Sequence, residues 1–211
     1  MSEPRRALIV VDVQNEYFEG PLEIQHPDRE RSLAHVVQAL QLAHEHDLPV
    51  VVVRHELPEG APVFAAGSTG RQLHPDIAAL ERPTWKQVSK QRSSVFADTD
   101  LASWLREQDV DTITITGFMT NNCDIASAVG AEEHGYAAEV LSDATGAIHL
   151  ANEAGKVSAE QLHDVLMVLL QSNFAAVATT DAWADAVRSG EALAKSDLGT
   201  SAMQGRAAFA G

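Results

Sequence analysis

Residues 7–18 read ALIVVDVQNEYF, a run of small and branched apolar side chains from Ala7 to Val11 that breaks at Asp12. No polar residue alternates through the run, which suits a strand covered on both faces, as in a parallel sheet flanked by helices. Pro49 to Val53 repeats the pattern. Between the two, Leu33, Val36, Val37, Leu40 and His44 recur at helical spacing, and Asp28 is placed to cap the first turn. A helix from about Arg29 to His46 then brings the chain back to lay the second strand parallel to the first, a βαβ unit.

The alternation continues outward. Leu101, Trp104 and Leu105 mark a short helix, and Val110 to Thr116 a third strand that ends at Gly117. A helical pattern restarts near Asn121 and runs through Ile125, Ala128 and Val129 to Gly135. Ala137 to Leu141 reads as a strand; Ser158 and Gln161 form a capping box ahead of the apolar face Leu162, Val165, Leu166 and Leu169; Ala175 to Ala178 supplies a last strand. Repeated strand and helix predict an α/β fold with three layers and a doubly wound, mostly parallel sheet, a single domain over residues 1–189. Two stretches escape the pattern. Glu56 to Thr84 is rich in Gly and Pro, and its length suits a binding loop or a plain surface loop. Residues 190–211 are expected to form a tail that is mobile or docked on a neighbouring subunit, which favours a homo-oligomer.

Composition narrows the function. The chain has 211 residues, 30 acidic against 15 basic side chains and a net charge of -15, so no basic surface is available for nucleic-acid phosphates. The longest apolar stretches, such as Val165 to Leu170, fall far short of the roughly 20 residues that span a bilayer. The single cysteine, Cys123, excludes an internal disulfide, and Met1 to Arg6 leads directly into a strand rather than a signal-peptide core, so a cytoplasmic location is expected. A small-molecule partner, with neither nucleic acid nor membrane, is the remaining default.

In open α/β sheets the site lies beyond the carboxyl ends of the strands. Asp12 emerges from the first strand, and Cys123 opens the helix after TITITGFMTNN, where a helix N-terminus and a nearby lysine are expected to depress its pKa. Lys90, in WKQVSKQRSSVF, is one of only four lysines. A base, a cation and a thiol on one sheet edge are the equipment of nucleophilic acyl transfer. Taken singly, each has a bland reading: a capping aspartate, a solvated lysine, a small buried cysteine.

ALIVVDVQNEYF, Lys90 with the following Ser94-Val95-Phe96, and GFMTNNCDIASA together resemble the isochorismatase-like cysteine hydrolases, a superfamily that includes nicotinamidases and other small-amide hydrolases. The resemblance extends from about Ala7 to Trp183. It implies that Asp12 is the base, Lys90 the cation and Cys123 the nucleophile. It also implies a cis peptide at Phe118-Met119 that aims the Met119 N–H, with that of Cys123, at an oxyanion. By their places in the chain, Phe18 after the first strand, His55 and Phe64 from the long connection, Phe96 after the lysine and Phe118 beside Cys123 are candidate substrate-binding residues, with core packing as the competing role for each phenylalanine, and Gln14 could hydrogen-bond either substrate or backbone.

The departures matter equally. Nicotinamidases carry an Asp-x-His metal motif after the second strand, where this chain has Arg54-His55-Glu56. No metal and no cofactor are therefore expected, although His55 and His74 could act together as ligands. Asp124 stands where relatives have an apolar residue. The combined reading is a metal-independent cysteine hydrolase that cleaves a small non-peptide amide through a thioester. Its rivals are isochorismatase-type vinyl-ether hydrolysis, which does not need Cys123, and a catalytically silent ligand-binding member of the fold.

Overall fold

A computed structural model describes residues 3–210. Along the chain run β1 (Arg6–Val11), α1 (Arg29–Glu45), β2 (Val50–His55), α2 (Pro75–Ala78), β3 (Lys86–Lys90), α3 (Leu101–Glu107), β4 (Thr112–Phe118), α4 (Ile125–Glu133), β5 (Ala137–Gly146), β6 (Leu150–Asn152), β7 (Gly155–Val157), α5 (Ala159–Leu169), β8 (Ala176–Ala178), α6 (Thr180–Ser189) and α7 (Leu198–Ala208). Six strands form one sheet in the order β3-β2-β1-β4-β5-β8, and every pairing is parallel. The expected doubly wound sheet is thus present.

Each residue of β1 is buried, because helices cover both faces. Leu8 and Val10 pack with α1 and α6 through Leu33, Val36, Leu40 and Trp183, whereas Ala7, Ile9 and Val11 meet Leu101, Leu105, Ala128 and Ala131 of α3 and α4. The period of two in the strand thereby divides the core into two layers. Chain order reverses between β1 and β4, so the crevice at their carboxyl ends is the topological switch point. β4 approaches β1 closely there. A Cβ on Gly117, whose φ is +107°, would lie 2.1 Å from the Val11 carbonyl oxygen, so only glycine fits.

Several elements differ from the sequence reading. Lys86–Lys90 is an edge strand of mostly polar residues that the sequence reading does not assign. β6 and β7 form a small antiparallel hairpin in a region without a clear apolar period. The tail contains a helix, α7, capped by Asp197 accepting from the Thr200 N–H, and its Leu198, Met203 and Phe209 are exposed. No described helix is long and apolar enough to cross a membrane.

Candidate active site

Immediately past β1 the chain turns through Asp12, whose φ of +48° is in the left-handed region. Aspartate tolerates this conformation better than most residues, at a cost of about 1–2 kcal/mol. The turn is held by the Asp12 N–H donating to the Val53 carbonyl and the Gln14 N–H to the Asp12 carbonyl. Lys90 ends β3 in register with His55 at the end of β2. Cys123 lies in a single π turn, Thr120–Asp124, that joins β4 to α4.

These three strand ends bring Asp12, Lys90 and Cys123 into one buried cluster. Lys90 Nζ is 2.6 Å from Asp12 Oδ2, 3.2 Å from Cys123 Sγ, 3.1 Å from His55 Nδ1 and 3.2 Å from the Arg92 carbonyl oxygen. Besides Lys90, the Asp12 carboxylate meets only the Cys123 thiol and, at 4.0 Å from Oδ2, His55 Nδ1 among the described residues. Asp12, Lys90 and Cys123 are only 0, 2 and 1% exposed. Burial alone would lower the Lys90 pKa, but Asp12 and Cys123 outweigh it and the net shift is upward, so Lys90 is an ammonium.

The expectation of a depressed Cys123 pKa is reversed. Burial first, then the charge of Asp12, push the thiol up, and Lys90 offsets only part. The regular helix begins two residues later, at Ile125, and does not outweigh an adjacent carboxylate. The resting group is a thiol facing a carboxylate, a pair in which a proton can move when a substrate arrives.

The other sequence-derived residues separate into two sets. Phe18, His55, Phe64 and Phe118 belong to one aromatic wall: Phe118 lies 5.7 Å from Phe18 and 5.6 Å from Tyr17, and Phe64 5.3 Å from Tyr17 and 5.1 Å from His55. Phe64 also lines a surface cleft of about 250 Å³, with Asn15, Glu16 and Thr69, so its ring stands between that cleft and the interior. Its N–H donates to Glu16 Oε2 at 3.2 Å. Gln14 and Phe96 lie outside the set. The Gln14 carboxamide is fully engaged, donating to the His55 and Arg71 carbonyls and accepting from the His55 N–H, so it clamps the long connection rather than facing a ligand. Phe96 stacks on Tyr136 at 6.0 Å and packs beside Gly130, in the second half of α4; the turn after Lys90 carries it into the core.

Met119 precedes the π turn, its peptide bond with Phe118 is cis, and its N–H has no hydrogen bond among the described residues. Sequence reasoning missed two residues. Tyr17 is buried with its hydroxyl on Cys123; burial, then Cys123, Asp12 and Asp124, raise its pKa well above the usual phenol value. Its position inside the first quoted motif was the available signal. His163 pins the π turn, with Nδ1 3.1 Å from the Thr120 hydroxyl and Nε2 3.0 Å from the Ser142 carbonyl, and burial lowers its pKa. No local spacing announces that contact.

Among the described residues Asp12, His55 and Cys123 could hold a metal ion, their ligand atoms lying within 4.8 Å of one another. Lys90 Nζ, however, touches all three. The cation that this donor set fits is the chain's own ammonium, and burial followed by Lys90 lowers the His55 pKa, leaving its Nδ1 an acceptor for that ammonium. His74 is elsewhere, its Nδ1 accepting from the Asp76 N–H and its ring 4.4 Å from Phe18. A metal bound through His55 and His74 does not fit this arrangement.

Comparison with known proteins agrees with the fold. The isochorismatase domain family matches residues 6–182. An uncharacterized isochorismatase family protein, YddQ, of Bacillus subtilis (strain 168) is 32% identical over 180 residues, 84% of this chain and 97% of its own. The nicotinamidase/pyrazinamidase of Mycobacterium tuberculosis (strain ATCC 25618 / H37Rv) is 28% identical over 162 residues, 68% of this chain and 87% of its own. Among solved structures, one from Burkholderia xenovorans LB400, provisionally assigned as an isochorismatase, superimposes with a TM-score of 0.96 at 46% identity and covers 100% of both chains. A cysteine hydrolase from Pseudomonas syringae pv. phaseolicola 1448A gives 0.82 at 25% identity over 90% of this chain and 95% of its own. The family match spans most of the chain, from the start of β1 into α6, and on that ground the protein belongs to the isochorismatase family of hydrolases.

Proposed function

We propose that the chain is a metal-independent cysteine hydrolase that cleaves a small non-peptide amide through a thioester. The observation that carries this reading is the contact of one ammonium, Lys90, with both the Asp12 carboxylate and the Cys123 sulfur in a closed site. Kinship with a protein named nicotinamidase/pyrazinamidase supports amide chemistry.

In the first step Asp12 takes the Sγ proton as sulfur attacks the carbonyl carbon. Lys90 stabilises the developing thiolate and keeps the two acidic groups in line. Negative charge passes to the substrate oxygen, which accepts from the Met119 and Cys123 N–H groups; losing one such donor typically costs about 100- to 1000-fold in turnover. The C–N bond breaks with transfer of the Asp12 proton to the nitrogen, and ammonia leaves. Water then gives a proton to Asp12 and its oxygen to the acyl carbon, and the departing sulfur recovers that proton. Amide and water become acid and ammonia, and the site is unchanged.

The raised Cys123 pKa is compatible with this sequence because the proton moves within the cluster rather than to bulk water. The wall of Tyr17, Phe18, Phe64 and Phe118 would seat the substrate's body. The test is ammonia release across a panel of small amides, with mass spectrometry of the quenched enzyme. An acyl adduct on Cys123 is expected, and turnover without one would overturn the thioester route. The proposal includes a homo-oligomer, which a concentration-independent monomer mass in light scattering would remove.

A further inference from the structure

The turn that carries Cys123 is of an uncommon kind and is anchored from outside. Thr120–Asp124 is one turn of π-helix, in which the Met119 carbonyl accepts from the Asp124 N–H at 3.2 Å and from the Asn122 N–H at 3.0 Å. Such turns are rare and are found mostly singly, often at functional sites. At the far end of this one the Cys123 carbonyl accepts from the Ser127 hydroxyl at 2.6 Å, and Sγ is 3.2 Å from Lys90 Nζ. At the near end Thr120, directly after Met119, is wholly buried, and its hydroxyl is 3.1 Å from Nδ1 of His163 on α5.

The other ring nitrogen decides which group donates. Nε2 is 3.0 Å from the Ser142 carbonyl oxygen, which can only accept, so Nε2 carries the proton. Burial, then His26, lower the His163 pKa and keep the ring neutral. Nδ1 is therefore an acceptor, and the Thr120 hydroxyl donates to it. A histidine that only bolted α5 to β5 would need the Ser142 bond alone. The second bond reaches the nucleophile's own turn, three residues before the sulfur.

We propose that His163 is a positioning residue for the hydrolysis: through the Thr120 hydroxyl it fixes the π turn so that the Met119 N–H and the Cys123 sulfur address one substrate carbonyl. The inference rests on the amide-hydrolase reading, which gives those two groups their roles. Losing the anchor leaves base, cation and nucleophile in place and disturbs their alignment, and a misplacement of about 1 Å can cost about 100-fold in rate.

The test measures kcat and KM for ammonia release from acetamide, propionamide and benzamide. A glutamine carboxamide reaches the place of Nε2, and an asparagine carboxamide that of Nδ1. His163→Gln, which keeps the Ser142 bond and gives up Thr120, is expected to lower kcat about 10- to 100-fold with KM unchanged. His163→Asn, which keeps the Thr120 bond, should restore most of kcat. Thr120→Val should match the glutamine loss, Thr120→Ser should not, and His163→Gln combined with Thr120→Val should lose no more than either alone. Equal losses in the asparagine and glutamine variants, additive losses in the double variant, or an unchanged kcat in the glutamine variant would each overturn the proposal. If none of the amides is hydrolysed, the amide-hydrolase reading fails by itself, and backbone hydrogen exchange decides the role of His163. Residues 119–124 should then exchange at least about tenfold faster in His163→Gln and Thr120→Val than in wild type or His163→Asn. Equal protection in all four overturns the assignment.

Discussion

Strand β1 carries a buried ion pair at each end, and the two are built on opposite terms. At the amino end Arg6 donates to both carboxylate oxygens of Glu139 at 2.9–3.1 Å and to the Glu191 carbonyl at 2.6 Å. Glu139 also accepts from the Thr114 hydroxyl at 2.7 Å, and that hydroxyl accepts from the Trp183 indole at 3.0 Å. At the carboxyl end the Asp12 carboxylate has one close cation, Lys90 at 2.6 Å, with the Cys123 thiol and a His55 nitrogen at 4.0 Å as its other neighbours, and the oxygens of the adjacent Asp124 have no hydrogen-bond partner among the described residues. Both pairs are desolvated, so burial does not distinguish them. Saturation does: a network whose polar atoms are satisfied fixes tertiary structure, while one left short of partners has room for a substrate to supply them.

Removing the proposed nucleophile should have the largest effect. Cys123→Ser is expected to lower amide turnover to background with the fold retained, since the two side chains differ little in volume. Asp12→Asn should cost about 100- to 10,000-fold in kcat/KM. Retained turnover in Cys123→Ser would favour vinyl-ether hydrolysis. At the other end of the strand the outcome should invert. Arg6→Met strands Glu139 in the core and should cost about 3–5 kcal/mol in denaturant unfolding, with kcat/KM of the folded fraction unchanged. Equal losses of stability at both ends would erase the proposed distinction.

A smaller effect comes from pH. Asp124 has a folded pKa raised above its unfolded value of 3.8, so protonation favours the fold below that value, and the advantage is lost as pH rises toward the folded pKa. Asp124→Asn removes the dependence, and its gain in melting temperature over wild type should widen as pH rises from about 4 to about 8. The thiol follows the same sign. The alkylation rate of Cys123 in the absence of substrate should inflect above the free-thiol pKa of about 8.5. An inflection below it would restore the pre-activated thiolate, and one at it would suit a silent member of the fold.

The sheet was legible because the central strands β1 and β2 hold continuous apolar runs, and β4 and β5, also central, show strand-length stretches rich in β-branched or apolar residues between turn signals. The edge strand β3 was not, since exposed alternate positions such as Gln87 and Ser89 remove the apolar signal. Asp12, Lys90 and Cys123 could be singled out from their places beside sheet ends and from the resemblance. The protonation of Cys123 could not, because it depends on a carboxylate 111 positions away in sequence. Phe96 and Gln14 show the same limit: motif membership does not say which way a side chain points, and here one enters the core while the other clamps the backbone. Tyr17 shows the converse, a site-facing residue in a motif whose neighbour, Phe18, had the same aromatic character.

The smallest expected effect, none, concerns metal, and it extends the comparison between the two ends of β1. In each pair the cation is a side chain of the protein, Arg6 or Lys90, and neither carboxylate is open to a second positive charge without displacing the first. Exhaustive EDTA treatment should therefore leave turnover unchanged, because the proposed nucleophile is a sulfur atom rather than metal-bound water. Added zinc is a different matter. A soft divalent ion that displaced the Lys90 ammonium would meet the Asp12, His55 and Cys123 donors together, removing base and nucleophile at once, so zinc in excess should inhibit and EDTA should reverse it. Lys90→Met empties the middle of that donor set and should tighten zinc binding, read by titration calorimetry independently of turnover. Activity lost on chelation and restored by stoichiometric metal would place the functional cation elsewhere and end the parallel between Arg6 and Lys90.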